Sequence, residues 1–277
     1  MVLSPLISAA DAVGQPGSVW LDARAGAGAR GAWRSGHAAG ARFVDLERDL
    51  SDVGDPSAGG RHPLPDWSSW LERVGLWGIE PSTPVLIYDA NGGGMAAARA
   101  WWMLRAIGHR PLSVVDGGWD ALVAAGVVIE QGPVHAEAVG PYPSSRSGWP
   151  GVDAVDVERI RNDETWVLFD ARAPDRYAGV TEPLDPVAGH ISGAVNAYWQ
   201  QSLDEEGRFL PAAQLRRRFF ELLRDTPPER VVCYCGSGVT ACHLVLAMES
   251  CGLSGAGLYV GSWSEWCRTR PDAISSG

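Results

Sequence analysis

The stretch Val231-Val232-Cys233-Tyr234-Cys235-Gly236-Ser237-Gly238-Val239-Thr240-Ala241 decides how the chain is read. Val231–Tyr234 is short, largely β-branched and apolar, which predicts a buried strand. From Val239 to Cys251 apolar residues recur at helical spacing, with Leu244, Val245, Met248 and Cys251 on one side and Gly252 as the stop. Between the two lies a loop with two glycines. A strand, a tight loop and a helix in that order put the Cys235 thiol at a strand end, facing the unpaired N–H groups of a helix N-terminus. Such a place suits a sulfur nucleophile and an anion carried on it.

The pattern occurs twice. Val19-Trp20-Leu21-Asp22-Ala23-Arg24 returns as Val167-Leu168-Phe169-Asp170-Ala171-Arg172, and Ser35–Ala41 returns as Ala188–Ala194 around a shared Gly-His pair. Val85–Gly92 returns as Val231–Gly238, and Val115–Trp119 as Tyr259–Trp263. The offset of about 150 residues is far too long for a solenoid. It predicts two homologous domains, residues 1–130 and 151–277, joined by an exposed linker over 131–150 that is rich in Pro, Gly and Ser. Short apolar runs alternating with helical patterns predict an α/β fold, each domain a mainly parallel sheet flanked by helices. Ligands of such sheets sit beyond the carboxyl ends of the strands, where Cys235 falls. Asp89 stands at the Cys235 position of the first copy and cannot carry sulfur, so that domain is expected to wall a cleft and do no chemistry of its own.

Composition narrows the function. The chain has 277 residues, 45% of them hydrophobic and 20% charged, with a net charge of −10. Ample core material and the lack of a basic stripe argue for a globular protein and against nucleic acid. Arg216-Arg217-Arg218 reads as the solvated face of a helix. No apolar run is long enough for a membrane span, and the segment from Met1 to Ala12 lacks the basic start of a signal peptide. The five cysteines, Cys233, Cys235, Cys242, Cys251 and Cys267, are odd in number and clustered, which points to a reducing cytoplasm rather than a disulfide framework. No ligand spacing for a metal accompanies them.

The tandem Asp-Ala-Arg, Gly-His and Gly-Ser-Trp landmarks, with a single cysteine loop in the second half, resemble the two-domain rhodanese-like sulfurtransferases over nearly the whole chain. The loop from Cys235 to Thr240 and the Gly261–Trp266 segment resemble the 3-mercaptopyruvate type. The resemblance implies a ping-pong reaction. The Cys235 thiolate takes sulfur from a donor as a persulfide and passes it to a thiol, such as thioredoxin or a small thiol, or to cyanide, with no metal or organic cofactor. The amides from Gly236 through Gly238 and Val239 to Thr240 are implied to cradle the anionic sulfur.

Relatives that prefer thiosulfate place Arg or Lys within the loop. Here Gly236, Ser237, Val239 and Thr240 are neutral, which favours a keto acid with one carboxylate. Arg176 matches the arginine that binds the donor's anionic end. A second arginine usual in the mercaptopyruvate enzymes is missing from Thr181–Pro186, and this departure keeps thiosulfate:cyanide sulfur transfer as the alternative. For proton delivery the resemblance implies Ser237 with His62 and an acid, Glu47, with Asp45 close by. The duplicated His37 and His190 are expected to make structural hydrogen bonds, and Asp22, Arg24, Asp170 and Arg172 to brace the fold. Trp263 and Trp266 line the cleft or fill the core. A cysteine phosphatase is disfavoured, since Ala241 stands where it needs arginine. An inactive binding module is disfavoured by the intact thiol loop.

Overall fold

The computed structural model describes residues 3–93 and 95–277. They form two compact units, each drawing on both halves of the sequence. The first comprises the chain as far as Ser51, Pro65–Pro150 and Glu205–Phe209; the second comprises Asp52–Leu64, Gly151–Asp204 and Leu210–Gly277.

In chain order the first unit contains β1 (Leu6–Ile7), α1 (Ala9–Val13), β2 (Val19–Asp22), α2 (Ala29–Ser35), β3 (His37–Ala38), β4 (Arg42–Phe43), α3 (Trp67–Leu76), β5 (Val85–Tyr88), α4 (Ala96–Ala106), β6 (Leu112–Val115), α5 (Gly118–Ala124) and β7 (Ile129–Glu130). Its main sheet has the order β1-β6-β5-β2-β4, parallel throughout, while β3 and β7 form a small antiparallel pair. The second unit follows with α6 (Ala154–Ile160), β8 (Val167–Asp170), α7 (Pro174–Tyr177), β9 (His190–Ile191), β10 (Val195–Asn196), α8 (Ala212–Leu223), β11 (Val231–Tyr234), α9 (Thr240–Ser250), β12 (Gly257–Leu258), α10 (Ser262–Thr269) and β13 (Ile274–Ser275). Its parallel sheet has the order β10-β8-β11-β12, a single parallel bridge from Val152 to Tyr259 replaces the fifth strand, and β13 pairs antiparallel with β9. The register repeats as well, Val19 opposite Val85 and Val167 opposite Val231.

The central strands β5 and β11 are buried at every residue, as expected of strands covered on both faces. Helix α9 departs from the expected one-sided pattern. It is buried at every residue from Ala241 to Met248, so its apolar face runs all the way round. Gly252 follows it at φ +82°, the left-handed stop. The segment over 131–150 is irregular and largely exposed, but not loose. Val139 N–H donates to the Gly75 carbonyl at 2.9 Å, Tyr142 N–H to the Leu71 carbonyl at 3.0 Å, and the Tyr142 side chain is buried.

The duplicated landmarks form the same buried polar group in each unit. Arg24 donates to Asp22 from Nε at 3.0 Å and from Nη2 at 2.6 Å, and Nη2 also donates to the Gly36 carbonyl at 2.7 Å. Arg172 donates likewise from Nη2 to Asp170 at 2.6 Å and to the Gly189 carbonyl at 2.7 Å. Each guanidinium lies over an indole, Trp119 at 4.5 Å and Trp263 at 4.6 Å. Tyr88 and Tyr234 receive the Ala38 and Ile191 N–H groups, each at 3.1 Å, and burial beside Asp22 and Asp170 raises both phenols. His37 and His190 place Nδ1 at 2.7 and 2.8 Å from the carbonyls of Trp33 and Tyr177 and stack on those same side chains. The expected structural hydrogen bonds are therefore present. Trp263 and Trp266 are fully buried, which decides for core packing.

In the first unit His109 is buried beside the Tyr142 hydroxyl at 3.2 Å, and burial lowers its imidazole from 6.5 to about 4. The unfolded chain takes up this proton near 6.5 and the folded chain only near 4. The contribution is intact above 6.5 and is lost as pH falls through this window, by about 3 kcal/mol at most. His109→Gln keeps a partner for Tyr142 and is expected to lose less melting temperature than the parent between pH 6.5 and 4. Parallel curves would exclude His109 as a source of acid lability.

Candidate active site

The thiol-bearing loop is fixed at its base by backbone pairing. Cys235 follows β11 directly and is 2% exposed. Its N–H donates to Ser262 Oγ at 3.1 Å, its carbonyl receives the Trp263 N–H at 2.9 Å, and the Gly236 carbonyl receives the Ser264 N–H at 3.0 Å. The N-terminus of α10 thus clamps the loop, which explains why the Gly-Ser-Trp landmark accompanies it. Ser262 adopts the left-handed region, φ 53°, uncommon for a residue with a Cβ. Its hydroxyl repays this by donating to the Tyr259 carbonyl at 2.9 Å while accepting from Cys235. At the loop's far end Val239 leads into α9 with no side-chain cap on the helix.

The first unit shows how an acceptor side chain is received in such a loop. Asp89, at the Cys235 position, is fully buried and accepts N–H bonds from Asn91 at 2.8 Å, Gly93 at 2.9 Å and Met95 at 3.3 Å. Burial raises its carboxyl, and these backbone donors oppose the rise. The corresponding positions in the thiol loop are Ser237, Val239 and Ala241.

Two further elements close on the thiol loop. Residues 52–64, from the first half of the sequence, lie on α10: the Asp52 N–H closes this loop on the Pro63 carbonyl at 3.0 Å, and Gly59 and Arg61 donate backbone N–H bonds to Glu265 Oε1 at 3.2 Å and Ser264 Oγ at 3.0 Å. Gly60, at φ +85°, is required there, because a Cβ would stand 2.4 Å from the Gly261 carbonyl oxygen. This fixes His62 with Nδ1 2.8 Å from Ser237 Oγ.

The segment after β8 brings Arg176. Its guanidinium is held by Glu182 at 2.7 and 2.9 Å from Nη2, and Glu182 also receives Arg172 Nη1 at 3.2 Å. Asp185 is ion-paired with Arg61, receives Arg268 Nη1 at 2.9 Å, and lies 3.8 Å from Arg176 Nη2. A Cβ on Gly236 would stand 3.0 Å from Arg61 Nη2 and 3.4 Å from both terminal nitrogens of Arg176.

Of the residues expected at the site, Cys235, Gly236, Ser237, Gly238, Val239, Thr240, His62 and Arg176 belong to the same unit. Glu47 belongs to the other, where its N–H donates to Asp45 Oδ1 at 3.1 Å. Arg61, Glu182 and Asp185 were missed by sequence reasoning; the adjacency of Arg61 to His62 was the available signal. Among the described residues Cys233, Cys242, Cys251 and Cys267 are buried and form no disulfide, and burial raises the thiols of Cys233, Cys251 and Cys267. Among the described residues no cluster of three or more His, Cys, Asp or Glu is arranged for a metal, and no helix is long and apolar enough to cross a membrane.

Residues 8–125 and 153–269 each match the rhodanese-like domain family. The chain belongs to the two-domain rhodanese-like sulfurtransferases. Among similar proteins, a probable 3-mercaptopyruvate sulfurtransferase of Pseudomonas aeruginosa is 41% identical over 250 residues, covering 88% of this chain and 86% of that protein. The putative thiosulfate sulfurtransferase SseB of Mycobacterium tuberculosis is 39% identical over 246 residues, covering 87% and 84%. The solved 3-mercaptopyruvate sulfurtransferase from Leishmania major superposes with a TM-score of 0.85 at 27% identity, covering 98% of this chain and 76% of that one. The enzyme character and the α/β architecture of paired rhodanese-like domains expected from the sequence stand on these matches.

The thiol loop of this sulfurtransferase depends on Gly238, which is at φ +77° with Val260 carbonyl oxygen 2.4 Å from any added Cβ. Gly238→Ala is expected to cost about 3 kcal/mol or more, through left-handed strain together with a backbone clash. An unchanged thermal melt would show that the loop tolerates a different path.

Proposed function

We propose that the chain transfers sulfur from 3-mercaptopyruvate to a thiol or cyanide acceptor through a persulfide on Cys235. The observation that carries this reading is the 2.8 Å pair between His62 Nδ1 and Ser237 Oγ, two residues from the nucleophile. Attack of the Cys235 thiolate on the donor sulfur forms an S–S bond and breaks the donor C–S bond, whose electron pair leaves as the pyruvate enolate. That enolate needs a proton. Ser237 delivers its hydroxyl proton to the enolate carbon and recovers one from His62 Nδ1, a group suited to proton traffic near neutral pH. With thiosulfate the leaving group is sulfite, which needs no such delivery. An acceptor thiolate then attacks the outer sulfur, and Cys235 departs as the thiolate.

The amides of the loop stabilise the persulfide anion as it forms, at positions matching those that donate to the Asp89 side chain in the first unit. Arg176 holds the donor carboxylate. Arg176 and Arg61 together also suit a dianion, and this favours thiosulfate as the second reading.

Incubation with 3-mercaptopyruvate should add one sulfur to the intact mass, removable by cyanide and absent in Cys235→Ser. Gain from thiosulfate alone would move the donor, and no gain from either would overturn the persulfide.

His62→Gln and Ser237→Ala are each expected to lower kcat with 3-mercaptopyruvate by about 10²-fold, the usual worth of a positioned proton donor. With thiosulfate they should change turnover far less. Equal losses with both donors would remove the relay.

A further inference from the structure

We infer that Glu265 is a positioning residue for His62: its carboxylate pins the segment that carries the histidine, and so favours the donor whose leaving group needs a proton. This rests on the proton relay proposed above. The segment 52–64 has no apolar anchor of its own. Gly60 alone among its residues is buried. Hydrogen bonds therefore decide where it lies, and its backbone is bonded to α10 through Gly59 on Glu265 and Arg61 on Ser264.

Glu265 stands in the first turn of α10, where the helix dipole favours a carboxylate. It is not used to cap its own helix. The Trp263 and Ser264 N–H groups of that turn go to the Cys235 and Gly236 carbonyls at 2.9 and 3.0 Å. Both carboxylate oxygens point elsewhere, Oε1 receiving the Gly59 N–H at 3.2 Å and Oε2 the Tyr259 hydroxyl at 2.7 Å. Tyr259 is a fixed base. It is buried, its N–H donates to the Cys233 carbonyl at 3.0 Å, and its ring meets Trp266 edge-on. Burial and the carboxylate together hold the phenol protonated, as a donor. A chain of two hydrogen bonds thus runs from the core through Glu265 to Gly59, three residues before His62.

Gly261 is fitted to this carboxylate. It sits at φ −57°, a backbone that any residue adopts, so its conformation does not call for glycine. Space does. A Cβ there would overlap Glu265 Oε2 and stand 2.6 Å from Cδ, and the three nearest atoms all belong to Glu265. The thiol, by contrast, is held without the Glu265 side chain, by Ser262 Oγ and the Trp263 N–H. Loss of the carboxylate should therefore displace His62 and leave Cys235 in place.

The test measures steady-state kinetics with each donor and amide hydrogen exchange by mass spectrometry, in the parent, Glu265→Ala, Glu265→Gln and Gly261→Ala. Glu265→Ala is expected to lower kcat with 3-mercaptopyruvate about tenfold and with thiosulfate by less than about threefold. Glu265→Gln should fall between it and the parent, since an amide oxygen still accepts one of the two bonds. Gly261→Ala keeps the carboxylate but takes its space, and should show the same donor split. In a His62→Gln background Glu265→Ala should cost nothing further, because the two act through one group. Exchange in 52–64 should quicken about tenfold in Glu265→Ala and Gly261→Ala, with 231–251 unchanged. Equal losses with both donors, a further loss on top of His62→Gln, or parent-like exchange in 52–64 would each overturn the inference. If the parent takes no sulfur from 3-mercaptopyruvate, or His62→Gln itself shows no donor split, the relay fails separately. Exchange then decides Glu265, faster exchange in 52–64 supporting it as the anchor of His62 and parent-like exchange overturning it.

Discussion

The buried pair of Asp170 and Arg172 organises everything around the thiol. A buried ion pair stabilises a fold only when its remaining donors and acceptors are also satisfied. Here they are: Arg172 reaches Asp170, the Gly189 carbonyl and Glu182, and its face rests on Trp263. Burial alone would lower the guanidinium, but the Asp170 carboxylate outweighs it and holds the group above its ordinary value. One side chain thus ties the end of β8, the Gly-His turn, α10 and the acidic residue that holds Arg176. The fold's brace and the arginine beside the thiol loop belong to one continuous network.

The two units separate what this fold needs from what the chemistry needs. Both keep the Asp-Arg brace, the tyrosine beneath it and the stacked histidine. They differ at the loop, where one holds the carboxyl group of Asp89 against its amides and the other a thiol. Gly118, at φ 58°, lets the first unit turn without a side chain, whereas Ser262 makes the same turn with a hydroxyl that holds the Cys235 N–H. The strain at Ser262 is placed where it fixes Cys235.

Much of this was legible in the chain because the signals are local. Val231–Tyr234, the loop and the helix after it are contiguous, and the duplication marks the brace residues without any structure. What stayed hidden depends on long-range placement. Arg61 belongs to a segment with no hydrophobic periodicity, and 175 positions separate its neighbour His62 from Ser237. Glu182 and Asp185 were read only as the absence of arginine, since nothing in their spacing tells that Arg172 and Arg176 will settle on Glu182, or that Arg61 and Arg268, from distant segments, will settle on Asp185. The all-round burial of α9 was masked by small and polar residues, Ala241, Cys242, His243 and Ala247, that pack as well as its leucines.

The assignment of 52–64 to the thiol-bearing unit, with Glu205–Phe209 going the other way, has a consequence for how the molecule is made. Each unit borrows a segment from the opposite half of the chain; Phe209 N–H, for example, bonds Asp116 at 2.8 Å. During synthesis the early half emerges first, and its 52–64 segment has no surface to settle on until α10 exists. Contacts of such sequence separation form late and slow the final step. The exchanged segments also bind the fates of the two copies. The two copies of the pattern therefore cannot be cut apart at 131–150 without taking His62 from Ser237.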